Sequence, residues 1–214
     1  AERDAVQLFA REIAPAGTGL VPGLTGFFGG RPAAIPVVTV TSYLVDKSAV
    51  EVRVERSGSE APVALATGGG FDPQALPPIE PEGAERLTPS GETARVPLGL
   101  LAWGRSGDKG DHANIGVMAR RPEFVPLLRA ILSEEVVAGY FAHILRGDVV
   151  RYELPGLNAF NFVLHHVLGG GGTASLRMDP QGKAFAQMLL DLPMEVPAEW
   201  VDRYGWREEV VDAA

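Results

Sequence analysis

The densest polar stretch of the chain is Arg105-Ser106-Gly107-Asp108-Lys109-Gly110-Asp111-His112-Ala113-Asn114. Arg105, Ser106 and Lys109 suit an acyl or phosphoryl oxygen, while Asp108 or Asp111 is placed to accept a proton. Gly107 and Gly110 let the backbone turn tightly around such a group. Two other uses stay open. Asp108 and Asp111 could share a hard divalent cation, or the alternating charges could simply neutralise one another in a solvated loop. Ser106 reads as a binding group rather than a nucleophile, because Gly104-Arg105-Ser106-Gly107 lacks the full G-x-S-x-G elbow. The candidate catalytic residues are therefore Asp108, Lys109 and Asp111, with Arg105, Ser106 and Asn114 as substrate-binding candidates.

A second cluster runs from Asn158 through Asn161 to His165-His166 and the run Gly169 to Gly172. The spacing of Asn158 and Asn161 places both amides on one face of an expected helix, where they suit a carboxylate or amide. Four glycines exceed what a helix C-cap requires, so they mark either close backbone approach or a flexible link. A third cluster, Ser175-Leu-Arg177-Met-Asp179-Pro-Gln181-Gly-Lys183, offers Arg177, Gln181 and Lys183 to an anion near the start of an expected helix. An Arg177–Asp179 pair beside an exposed Lys183 is the alternative. His112, His143, His165 and His166 show no H-x-x-x-H spacing, so a histidine metal site is not signalled, and none is assigned.

Composition bounds what these clusters can serve. The 214 residues carry 19 Lys+Arg against 27 Asp+Glu, a net charge of −8, which argues against a general nucleic-acid binder. Apolar residues make up 46% of the chain, enough for a substantial core. There is no cysteine, hence no disulfide, thiolate nucleophile or cysteine zinc site, and a cytoplasmic location is the expectation. No apolar run approaches the roughly 20 residues that span a bilayer, so no membrane partner is expected. The first residue is Ala1 and the sequence opens directly on a helical pattern, as if inside a longer protein. Glycine and proline together supply 43 of 214 residues, which predicts many turns.

Periodicity then places the clusters on elements. The opening AERDAVQLFAREIAP predicts a helix stopping at Pro15, followed by a glycine-rich apolar loop holding Phe27-Phe28. Residues 36–45 and 49–55 read as two strands joined at Asp46-Lys47-Ser48. Residues 57–95 read as a Pro/Gly-rich linker, with Thr67-Gly68-Gly69-Gly70 as a weak backbone anion nest. Beyond it come strands over 96–103 and 113–119 with RSGDKGDH as the turn, then helices over 122–132 and 133–145. A strand over 148–154, a helix over 159–168, a strand over 173–178 and a helix over 180–190 follow. Residues 194–196 close the sheet. The order suggests an α+β layer, helices on a mainly antiparallel sheet, and Trp200, Tyr204 and Trp206 form a tail expected to pack within the chain.

RSGDKGDHANIGV, YELPGLNAFNFVLHHVLGGGG and SLRMDPQGKAFAQMLLDLPMEVP, in that order, resemble the C-terminal domain of the acyclic terpene utilisation (AtuA) family. QLFAREIAPAGTGLVPGLTGFFGGRP is similar to the end of that family's larger N-terminal domain. The resemblance implies a ferredoxin-like α+β domain at 96–197, preceded by a partial α/β segment. Residues 1–56 would end the larger domain, 57–95 would be the linker and 198–214 a C-terminal tail. It also implies catabolism of a branched or terpenoid acyl-CoA or carboxylate, with CoA as part of the substrate and no separate cofactor. Hydration, a hydratase- or lyase-like activity, is one reaction it allows. The expected partners are the small-molecule acyl-CoA or carboxylate, a large AtuA-type N-terminal domain and further copies in a homo-oligomer. A non-catalytic subunit or assembly domain using its glycine-rich loops for contacts is the rival expectation.

Overall fold

The computed structural model describes residues 2–19, 33–38, 41–65, 68, 70, 72–75 and 84–211. The expected Phe27-Phe28 loop, and much of the Thr67-to-Gly70 nest, lie outside these residues. The chain divides into two compact units, Ala1–Val38 and Thr39–Ala214. In the first, α1 (Arg3–Gly19) continues past Pro15, the residue expected to end it.

Of the two expected strands, the one at 49–55 is strand only from Arg53, as part of a hairpin in the second unit. Residues 33–38 and 41–46 carry no regular structure. The Asp46 carboxylate accepts from Ser48 N–H at 2.8 Å and Ser48 Oγ at 2.6 Å, closing a short 3-10 turn. The hairpin pairs β1 (Arg53–Arg56), at the end of the second expected strand, with β2 (Ser59–Pro62), at the start of the stretch expected to be linker. Ser57 and Gly58 at positive φ make its turn.

The core unit follows β3 (Thr93–Pro97), α2 (Leu98–Leu101), β4 (Ala102–Lys109), β5 (His112–Ala119), α3 (Val125–Ile131), α4 (Glu134–Tyr140), β6 (Val149–Leu154), β7 (Ala159–Leu164), α5 (Phe185–Leu190), β8 (Pro193–Pro197) and α6 (Ala198–Tyr204). This is α+β, with antiparallel pairing throughout. The main sheet has the order β4-β5-β7-β6, while β8 pairs with β3 in a separate two-stranded sheet rather than closing the main one.

Several expectations fail here for physical reasons. RSGDKGDH is strand for most of its length, and only Gly110-Asp111 turns, with Gly110 at φ +66°. The expected helix at 159–168 is strand β7: Phe160, Phe162 and Leu164 alternate and are fully buried, which is period two. Residues 173–178 form no strand, and the helix expected from Pro180 begins at Phe185. There the Asp179 carboxylate accepts from the Lys183 and Ala184 N–H groups at 3.0 and 2.8 Å, folding the segment on itself.

One face of the main sheet packs into the core. Ile115, Val117, Phe160 and Phe162 bury against Leu127, Leu128, Phe141, Phe185 and Leu189, each large side chain contributing about 1.5–3 kcal/mol. Arg129 and Glu153 make a buried ion pair within this layer. The tail packs inward as expected, with Trp200, Tyr204 and Trp206 ringing Phe124 at centroid distances of 5.2, 5.1 and 5.8 Å. The opposite sheet face leaves Trp103, Met118, Tyr152 and Leu154 exposed.

Candidate functional site

Alternation along β4 sends Ser106 to the core side and Arg105, Gly107 and Lys109 to the outer face. The register sets Gly107 opposite Asn114 and Lys109 opposite His112, so Asn114 and His112 share that outer face. β4 is an edge strand, and Lys183 reaches around the free edge from the third cluster. A Cβ on Gly107 would lie 3.1 Å from Lys183 Nζ, so the glycine leaves this space to the ammonium. The result is a cavity of about 370 Å³ lined by Arg105, Ser106, Gly107, Asp108, Lys109, Asn114, Gly116 and Lys183.

The charge of this cavity is opposite to that of the chain. Arg105, Lys109 and Lys183 face one carboxylate, Asp108, whereas the whole sequence is at −8. Asp108 lies 3.9 Å from Lys183 Nζ, and Lys109 Nζ donates to the Asp108 carbonyl at 3.1 Å. Among the described residues Arg105 and Lys109 enter no ion pair. Cations held together with so little compensation fit an anionic ligand. Larger surface cavities exist, about 480 Å³ at Leu87 to Glu92 with Pro197 to Glu199, and about 450 Å³ at Thr88, Arg95 and Glu195. The charged residues of the first are both carboxylates, Glu92 and Glu199, and in the second Arg95 is already paired with Glu195, so neither offers comparable chemistry.

Ser106 holds the cavity together. Its hydroxyl donates to the Lys183 carbonyl at 3.1 Å and accepts from Ala186 N–H at 2.9 Å, tying β4 to α5 and setting where Lys183 emerges. Asn114 Nδ2 donates to Asn161 Oδ1 at 3.1 Å, so Asn161 supports a lining residue across the sheet. Asn158 does not share a helical face with Asn161. It sits at φ +50° where the turn Pro155–Leu157 ends, before β7 begins.

Asp111 is not a free carboxylate. Its Oδ1 accepts from Gly170 N–H at 2.6 Å and its Oδ2 meets His166 Nδ1 at 3.0 Å. The Gly170 N–H, against an opposing effect of burial and with help from His166, holds the Asp111 carboxyl below its ordinary value. The glycine run is thus fastened to the Gly110-Asp111 turn, and a Cβ on Gly171 would overlap the Gly110 carbonyl. Arg177 donates to the Ile144 carbonyl at 3.2 Å and lies against Gly169 rather than pairing with Asp179. Gln181 is exposed outside the cavity lining.

The three sequence clusters therefore meet: Lys183 joins the first at the cavity, and the glycine run joins it at Asp111. Sequence reasoning missed the histidines. The His112 ring lies 4.7 Å from that of His165 and 4.8 Å from that of His166, a proximity created by β5 and β7 pairing. The two His-bearing doublets beside glycines were the available signal. Among the described residues no group of three or more His, Asp or Glu is arranged to hold a metal ion, and no helix is long and apolar enough to cross a membrane.

The family model described as the AtuA ferredoxin-like domain matches residues 96–195. Comparison with curated proteins and with solved structures gave no match.

Proposed function

Because residues 96–195 match the family model of the AtuA ferredoxin-like domain, we propose that the cavity at the β4 edge binds the anionic part of a carboxylate or acyl-CoA substrate. The observation that carries this reading is the meeting of Arg105, Lys109 and Lys183 around a single carboxylate in an acidic chain. Arg105 presents a planar fork to carboxylate or phosphate, while Lys109 and Lys183 act as mobile point charges. Asn114, held by Asn161, adds an amide donor or acceptor. The likeness to the AtuA family supports a branched or terpenoid acyl group, a large AtuA-type partner domain and a catabolic role. Isothermal titration with CoA and small acyl-CoAs tests the reading: heat from the wild type and its loss in Arg105→Ala support it, and equal heat from both overturns it.

A second reading is a non-catalytic subunit that self-associates. Exposure of Trp103, Met118, Tyr152 and Leu154 on the outer sheet face favours it. Light scattering across micromolar concentrations discriminates, since a strict monomer removes this reading. The glycine run gives it less support, because Gly170 and Gly171 are used within the chain.

A further inference from the structure

We infer that His166, oriented by Asp111, is a general base linked through His112 to the residues of the cationic cavity. The inference rests on that cavity being the ligand site.

Hydrogen-bond chemistry fixes the tautomers. An ionised carboxylate only accepts, so the 3.0 Å contact between Asp111 Oδ2 and His166 places the ring proton on Nδ1 and leaves the lone pair of neutral His166 on Nε2. Next to it the order reverses. His112 Nδ1 accepts the His166 backbone N–H at 3.0 Å, so neutral His112 carries its proton on Nε2. The His166 side chain is 61% exposed, and its Nε2 is therefore open to a reactant.

The backbone is arranged around this ring. His166 sits at φ +50°, a left-handed conformation that a histidine adopts at a cost. An exposed ion pair alone offers little return for such a cost. The segment is nevertheless held there: Val167 and Leu168 N–H both donate to the Asp111 carbonyl at 3.1 Å, and Gly170 N–H secures the carboxylate. Asp111 and His112 face the His166 ring, and His165 lies against His112. Arg177 lies against Gly169.

Register connects the ring to the cavity. His112, in edge contact with His166, stands opposite Lys109 and on the same strand face as Asn114, both cavity-lining residues. A ligand whose anionic group sits on Arg105, Lys109 and Lys183 and that runs along this strand face past His112 would approach His166. There the O–H bond of a water or ligand hydroxyl breaks with its electron pair left on oxygen, and a new N–H bond forms at His166 Nε2. The imidazolium produced faces the Asp111 carboxylate, which stays ionised. Asp111 and His112 are positioning residues in this scheme.

Diethyl pyrocarbonate, which acylates unprotonated imidazole nitrogen, tests the inference on the full chain with peptide mass spectrometry. His143, also exposed, is the internal reference. His166 should react severalfold faster than His143, Asp111→Asn should abolish that advantage, and saturating CoA should slow His166 alone. Equal rates for His166 and His143 in the wild type, or no effect of Asp111→Asn, overturn the inference. Fast, Asp111-dependent modification that CoA leaves unchanged upholds the dyad and overturns the cavity reading it serves. Because Asp111→Asn also loosens the loop, nitrogen NMR of the wild type supplies a second readout. Nδ1–H at His166 with Nε2–H at His112 supports the arrangement, and Nε2–H at His166 contradicts it.

Discussion

The Ser106 hydroxyl accepts the buried Ala186 N–H at 2.9 Å across 80 residues of sequence. Through this bond the first polar cluster fixes the start of α5, and with it the backbone that presents Lys183. Ser106→Ala leaves the Ala186 N–H without its partner and should cost about 1–3 kcal/mol. A lowered Tm in thermal unfolding, together with weaker CoA heat, is the expected pair of results. An unchanged Tm would remove the proposed tie.

Two glycines should behave in opposite ways. In Gly107→Ala the new methyl meets only the mobile end of Lys183. Stability should hold while anion binding weakens, because the ammonium is displaced from the cavity. In Gly171→Ala the methyl meets the Gly110 backbone, and the residue sits at φ +69°. Conformational strain of about 1–3 kcal/mol adds to that overlap. Urea titration of both variants should show a clear loss for Gly171→Ala alone.

The buried Arg129–Glu153 pair makes a sharper stability prediction. Arg129 also donates to the Glu85 carbonyl, so one guanidinium joins α3, β6 and the segment before β3. Their side chains are 9% and 2% exposed, so removing one charge strands the other. Glu153→Leu should cost about 3–5 kcal/mol, read as a lower urea midpoint. Replacing both partners with apolar residues of similar size should recover much of that loss.

Asp111 gives an acid dependence with a definite sign. Its folded carboxyl lies below the ordinary 3.8, chiefly because Gly170 N–H donates to the ionised form. Its contribution is therefore complete above the unfolded value and lost as pH falls through the folded one. Hydrogen exchange at Gly170 should accelerate as pH drops below that range, after correction for intrinsic exchange. Asp111→Asn should show fast exchange at Gly170 already at neutral pH.

Much of this arrangement was legible in the residues. The helices over 122–132 and 133–145 and the strand over 148–154 show clear periodicity, and Arg105, Ser106, Asp108, Lys109, Asn114 and Lys183 do line one cavity. The failures have local causes. Asn158 and Asn161 fit a helical spacing, but Phe160, Phe162 and Leu164 obey the strand period, and burial on the sheet decides between the two. Ser175, Arg177 and Asp179 alternate like a strand, yet no neighbour pairs with them and Asp179 turns back onto Lys183 and Ala184. The Asp111–His166 contact joins residues 55 apart and depends on β5–β7 pairing, so no local pattern announces it.

The central claim is that the β4-edge cavity holds an anion, and calorimetric titration of the full chain with CoA at low salt tests it most directly. Saturable heat in the wild type should weaken as salt rises and disappear in an Arg105→Gln, Lys183→Gln double variant that retains the wild-type Tm. Absence of heat in the wild type, or undiminished binding by that folded double variant, would contradict the claim.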